Sequence, residues 1–233
     1  MGMHFGLVAV KAPLARLREV FPEVWNKFEV VASAENFTDL ETVWTWMEAN
    51  EHFVSAAAWT KENPGTQSCV FCQDGPWAVL MDPSYTLASD EDALKKLSEH
   101  CGIVLSFVVE TAGGCAFFWC YEAGTVRRSI IMPDAEVTFV GEPMPEETGI
   151  DVSHYYMEET KALMAAFGLT PIEELPNLAT AVAIAVADRT DYSYLKKPPS
   201  ATTPLPAPTE PHVPARPSPP RSEKAEKPWW RFW

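Results

Sequence analysis

The stretch that decides the fold is residues 77–141, WAVLMDPSYTLASDEDALKKLSEHCGIVLSFVVETAGGCAFFWCYEAGTVRRSIIMPDAEVTFVG. It reads as a strand, a capped helix and then a meander of hairpins. Residues 77–82 form an apolar strand. Ser89-x-x-Asp92 is a capping box, and Asp90, Glu91 and Asp92 suit the positive end of a helix dipole. Ala93, Leu94, Leu97 and Cys101 share one helical face. Gly102 stands where a left-handed residue commonly stops a helix. Strands are predicted over residues 103–110 and 115–122 around the turn Thr111-Ala112-Gly113-Gly114. Two more follow, over 126–132 after Ala123-Gly124 and over 136–140 after Pro133-Asp134.

The strand at 115–122 is apolar on both faces. Cys115, Phe117, Trp119 and Tyr121 lie on one, and Ala116, Phe118 and Cys120 on the other. Such a strand needs cover on both sides. In the next strand Val126, Arg128, Ile130 and Met132 alternate with Arg127, Ser129 and Ile131. That pattern places it nearer an edge, with at least one arginine exposed.

On the N-terminal side, residues 4–10 are a short apolar strand. Pro13 opens a helix, with Leu14, Leu17, Val20, Phe21 and Val24 at helical spacing through Phe28 and Pro22 as a potential kink. Residues 29–34 are a second strand. Thr38-x-x-Glu41 is a capping box for a helix to about Ala49, with Leu40, Val43, Trp44 and Met47 on one face. Residues 52–60 fit helix or strand. Asn63-Pro64-Gly65 is a turn, and residues 67–72 pair with 77–82 across Gln73-Asp74-Gly75-Pro76.

On the C-terminal side, residues 141–147 are a loop in which Glu146 and Glu147 read as a solvated pair. Residues 154–167 are a helix with Tyr156, Leu163, Met164 and Phe167 inward and Gly168 as its stop. Thr170-Pro171-x-Glu173 signals another helix start, cut short by Pro176. Residues 181–187, AVAIAVA, have the alanines of a helix but the alternation of a strand, and the alternation is followed.

Composition changes after Lys197. Eleven of the 21 prolines lie within residues 198–228, which is incompatible with sheet or helix and predicts a disordered Pro-rich linker. The expected organisation is an acidic globular domain at 1–195, a linker at 196–227 and an aromatic motif at 228–233. The fold class expected is α+β, a largely antiparallel sheet with a β-meander at its centre and packed helices. The total charge of −14 divides unevenly. Seven basic and three acidic residues from Lys196 onward give that part +4, which leaves −18 on the first 195 residues. An acidic body repels nucleic acid and anionic lipid and favours basic partners.

Chemistry is sparse. Five cysteines without framework spacing suggest reduced thiols. With no spanning run and no signal-peptide pattern, they lead to the expectation of a cytoplasmic protein. Cys69-x-x-Cys72 lacks a second ligand pair for zinc. Within a strand its side chains point to opposite faces, which suits packing rather than redox chemistry. His4, His52, His100, His154 and His212 form no metal-binding spacing, and none is set against a serine or cysteine. Nucleotide and hydrolase fingerprints are missing. No catalytic residue, metal site or cofactor is therefore assigned. One group of residues exceeds what solubility explains: Trp229, Trp230, Arg231, Phe232 and Trp233. It suits a partner pocket, a membrane surface or the protein's own domain.

The segments Gly75-Pro-Trp-Ala-Val-Leu-Met-Asp-Pro83, Ser89-Asp-Glu-Asp92, Tyr121-Glu-x-Gly-x-Val-Arg-Arg128 and Gly141-Glu-Pro-x-Pro-Glu-Glu147 together resemble uncharacterised bacterial domains. Some of these are similar to the small acidic immunity proteins of toxin systems. The resemblance covers about residues 75–168 and rests on turns and strands. It implies a non-enzymatic domain that binds a basic protein. The alternatives are an adaptor tethered by its C-terminal arm and an enzyme of unknown class.

Overall fold

A computed structural model of the protein describes residues 4–37, 39–52, 54, 60, 65–133, 136–170 and 179–186. The expectations for residues 171–178, most of 53–64 and the whole Pro-rich arm with its aromatic motif fall outside these residues. Among the described residues nine strands form one sheet: β1 (His4–Val10), β2 (Phe28–Phe37), β3 (Thr66–Asp74), β4 (Trp77–Asp82), β5 (Ile103–Glu110), β6 (Cys115–Glu122), β7 (Thr125–Met132), β8 (Thr138–Val140) and β9 (Ala179–Val186). Their order is β2-β9-β3-β4-β1-β5-β6-β7-β8, and every neighbouring pair is antiparallel. Four helices pack on the sheet: α1 (Leu14–Val24), α2 (Leu40–Asn50), α3 (Glu91–Cys101) and α4 (Met157–Ala166). The α+β class, the hairpin at β3–β4 and the meander from β5 to β8 are as expected. The strand within AVAIAVA is also observed, as β9.

Alternation along the central strands divides the apolar residues between two faces. One face gathers Phe5, Leu7, Val79, Leu105, Phe107, Phe118 and Ile130 under α2, α4 and the 3-10 turns before α4, with Val43, Trp44, Met47, Tyr155 and Leu163 closing it. The other gathers Val8, Leu80, Val104, Trp119 and Tyr121 under α1 and α3, through Leu17, Phe21, Trp25, Leu94 and Leu97. β6 is buried on both faces with the division that its alternation implies. Burying a side chain such as Leu97 or Phe107 contributes about 1.5–3 kcal/mol.

Local details differ from expectation in instructive ways. Both helix caps sit one residue later than the Thr and Ser patterns suggest. Asp39 Oδ1 accepts from the Thr42 amide at 2.9 Å, and Asp90 Oδ1 from the Ala93 amide at 3.2 Å. The Ser89 hydroxyl instead donates backwards to the Tyr85 carbonyl at 2.7 Å. A charged acceptor at the dipole's positive end outcompetes a hydroxyl. α1 stops at Val24, with Pro22 in its last turn, and β2 begins at Phe28. α4 begins at Met157 behind a 3-10 turn at Val152–His154, which makes Tyr155 rather than Tyr156 the fully buried ring. The helix expected after Thr170 lies outside the described residues. The Thr170 amide and hydroxyl both donate to the Asp74 carboxylate, at 2.6 and 2.8 Å.

Candidate functional site

β7 carries the structure's most constrained charge. Its pairing with β6 shifts between Cys120 and Tyr121, so that Val126 faces Tyr121 and Arg128 faces Cys120, with Arg127 as the extra residue of a bulge. The bulge breaks the simple alternation read from the sequence. Val126 joins the α1/α3 face, while Arg128 turns to the α4 face alongside Ile130 and Met132. Arg127 stays exposed and pairs with Glu122 at 3.2 Å. Arg128 is 3% exposed. Its Nε and one terminal nitrogen donate to the two Glu147 carboxylate oxygens at 2.8 and 2.7 Å, and the other donates to the Gly141 carbonyl at 2.8 Å. The Phe139 ring lies 5.0 Å from the guanidinium carbon. Glu147, 6% exposed, also accepts from the Met144 amide at 2.9 Å.

The expectation of a solvated Glu146–Glu147 pair is therefore corrected for Glu147. A buried guanidinium with five donors requires a bidentate carboxylate, and the turn at Pro145–Glu147 brings one to it. Every strong polar contact of this pair is internal to the fold. It acts as a latch between β7 and the turns that precede α4, not as a reactive group.

Asp82 is a third buried charged residue, at 1% exposure. Its carboxylate accepts from the Leu87 and Ala88 amides at 2.6 and 3.1 Å and from the Ser84 hydroxyl at 2.6 Å. Burial pushes its pKa up, against hydrogen bonds that pull it down. It holds the loop between β4 and α3 against β1. Gly6 faces that loop so closely that a Cβ would lie 2.7 Å from the Ala88 Cβ. Near by, Glu51 accepts from the Ser68 amide at 3.4 Å, and burial raises its pKa too.

The Cys-x-x-Cys pair behaves as its strand position implies. Cys69 belongs to the α1/α3 face and Cys72 to the α2/α4 face. Burial raises both thiols, Cys72 to about 12 and Cys69 well above its usual value. Neither thiol can present a thiolate at neutral pH. Among the described residues the five cysteines form no disulfide.

One serine does lie against a histidine, contrary to expectation. In the turn before α4, His154 Nδ1 is 3.0 Å from Asp151 Oδ2 and 3.1 Å from the Ser153 hydroxyl, which itself donates to Asp151 Oδ1 at 2.5 Å. A Ser-His-Asp relay needs serine and aspartate on different ring nitrogens. Here both meet Nδ1, and the histidine side chain is 81% exposed. The arrangement is a turn-stabilising cap. The Ser153 hydroxyl, then His154, lowers the Asp151 carboxyl. Among the described residues no group of three or more His, Cys, Asp and Glu could hold a metal ion. No helix among them is long and apolar enough to cross a membrane.

The acidic surface is better organised than these local clusters. Residues 28–60 contain six acidic residues and no lysine or arginine, and residues 129–160 contain eight and none. The two stretches are far apart in sequence, but α2 and α4 lie on the same face of the sheet. Glu41 and Glu48 on α2, and Glu142, Asp151 and Glu158 around α4, are all exposed there, with Lys161 3.8 Å from Glu158 and His154 3.0 Å from Asp151 as cationic or titratable neighbours. The opposite face is mixed. Arg16 pairs with Glu19 within α1, and Lys95 with Glu91 and Asp92 within α3. Lys96 and His100 both reach Glu23 across the α1–α3 contact at 3.3 Å. The sequence-predicted motif of Trp229, Trp230, Arg231, Phe232 and Trp233 lies outside the described residues, so the structure brings it to no site.

Compared with known proteins, the chain matches no family model, no curated protein and no solved structure.

Proposed function

We propose that this is a non-enzymatic, cytoplasmic binding protein whose α2/α4 face receives a basic protein partner, in the manner of an immunity protein. The observation that carries the reading is the convergence of two acid-only stretches on one face. The other face balances its charges in pairs. A field of one sign over a surface steers and selects partners of the opposite sign. The buried charges support the reading indirectly, because Arg128, Glu147 and Asp82 are each consumed by internal hydrogen bonds. Cysteines without disulfides among the described residues fit a reducing compartment.

The test is affinity capture on the full-length protein, with the partner identified by mass. The comparison is a variant carrying Glu41→Lys, Glu48→Lys, Glu142→Lys and Glu158→Lys. The expected result is a captured basic protein that the variant loses and that the wild type releases as salt rises toward about 0.5 M, where the Debye length falls to a few Å. Capture that is equal in both proteins and insensitive to salt refutes the reading.

A further inference from the structure

We infer that the loop between β4 and α3, residues 83–90, is a proton-operated latch that stays shut while Asp82 carries a proton and is released when Asp82 ionises. The loop packs on the α1/α3 face through Leu87 and Ala88, so the inference does not depend on the preceding reading.

Leu87 and Ala88 are fully buried between the exposed residues Tyr85, Thr86 and Ser89. Their amides donate to one oxygen of Asp82. From β5 the Ser106 hydroxyl donates to the Ala88 carbonyl at 2.6 Å. From β1 Gly6 meets the Ala88 Cβ too closely for a larger residue. Against these ties stands Tyr85. Its φ of +47° puts a bulky L-residue in the left-handed region, which is unfavourable and is relieved if the loop lifts.

The other oxygen of Asp82 decides how firmly the loop is closed. Ser84 Oγ lies 2.6 Å from Asp82 Oδ1 and 3.2 Å from Thr86 Oγ1, and Thr86 Oγ1 lies 3.3 Å from Gln67 Oε1. A hydroxyl has one proton to donate. With Asp82 protonated, its proton goes to Ser84, the Ser84 proton to Thr86 and the Thr86 proton to Gln67. Every link is then made and no charge is buried. With Asp82 ionised, Ser84 turns its proton to the carboxylate, and the row is one proton short of its links. Thr86 is exposed, so the row gives the proton a way to water.

Two titratable groups face Asp82 from neighbouring elements, Glu51 beyond α2 and Cys69 on β3. An ionised Glu51 repels a charge on Asp82, and the buried Cys69 thiol stays neutral. In an open loop Asp82 meets water and titrates near the ordinary value of about 3.9. In the closed loop burial holds it higher. Opening is therefore promoted as pH rises from about 4 to the closed-loop value, by as much as about tenfold per pH unit, and is constant above it.

Amide exchange of Leu87 and Ala88 in the full-length protein tests this between about pH 4 and about pH 7. Each rate is corrected for intrinsic exchange at that pH and read against Leu105 of β5, which reports wider opening. Protection of the two loop amides relative to Leu105 is expected to fall as pH rises and then to level. Asp82→Asn donates to Ser84 as the protonated acid does, and its oxygen still accepts from both amides. Its protection is expected to hold the wild type's acid value at every pH. Glu51→Gln is expected to keep the fall. Wild-type protection that is constant or rises with pH overturns the proposal. So does a fall that persists in Asp82→Asn, or one that Glu51→Gln abolishes. If Asp82→Asn does not fold, the wild type and Glu51→Gln decide.

Discussion

At the scale of single residues, three buried charged side chains are held in two different ways among the described residues. Arg128 and Glu147 satisfy each other bidentately. Removing one partner leaves the other charge buried and unpaired. Glu147→Ala is expected to cost about 3–5 kcal/mol in chemical denaturation. Arg128→Met combined with Glu147→Leu is expected to cost far less, because an apolar pair leaves no stranded charge. A double variant as unstable as the single one would show that the pair's value lies in backbone contacts to Gly141 and Met144.

Asp82 is instead a lone carboxylate held by donors. Asp82→Ala is expected to cost about 2–4 kcal/mol, through the amides of Leu87 and Ala88. Its pH dependence has a definite sign. The folded pKa is raised by burial, so its contribution to stability is full below the unfolded value of about 3.9 and is lost as pH rises through the folded value. The stability difference between wild type and Asp82→Ala should therefore be larger near pH 4 than near pH 7, on the order of the shift expected for one titrating group. Urea titrations at both pH values measure it, and a difference that widens with pH contradicts the assignment.

At the scale of elements, the caps and bulges determine where side chains point. The β7 bulge is the clearest case, because a single extra residue sends Arg128 to the face where Glu147 can meet it. Gly141 completes the element. It has a φ of +78°, and a Cβ there would lie 2.0 Å from the Arg127 carbonyl oxygen. Its own carbonyl accepts from Arg128. Gly141→Ala is expected to destabilise by more than about 1 kcal/mol and to loosen the latch. Thermal melting checks the stability, and hydrogen exchange of residues 141–147 checks the latch. Undisturbed exchange there would separate the glycine from the ion pair.

At the scale of the whole molecule, the two-sided sheet places chemically different surfaces back to back. Among the described residues both sides carry ion pairs, but on the α2/α4 side the acids of α2 and of the turns before α4 outnumber Lys161. That asymmetry explains why an acidic composition can be directional, and it is what the charge-reversal capture experiment addresses. The two edges also differ. β8 spans three residues, whereas β2 spans ten and is broken by two register shifts of the kind that blunt an edge.

Much of this was legible in the chain. The period-two pattern of residues 115–122 already required two covered faces. The spacing of Cys69 and Cys72 already implied opposite faces and inert thiols. The alternation in AVAIAVA overrode alanine's helix preference because it reports burial, which outweighs propensity. These inferences held because they depend on neighbours a few residues apart. What the sequence could not show depends on distant partners. Nothing local reveals that β9 inserts between β2 and β3, or that Glu147 is drawn inward by Arg128. An arginine within an otherwise apolar strand was the available signal for the latter, since a buried guanidinium must find a carboxylate. By itself, then, the sequence determined the class, the meander and the two apolar faces, through local periodicity. Only the tertiary structure decided the strand order, the buried ion pair and the gathering of the acids on one face, because each joins residues whose encounter is set by long-range packing.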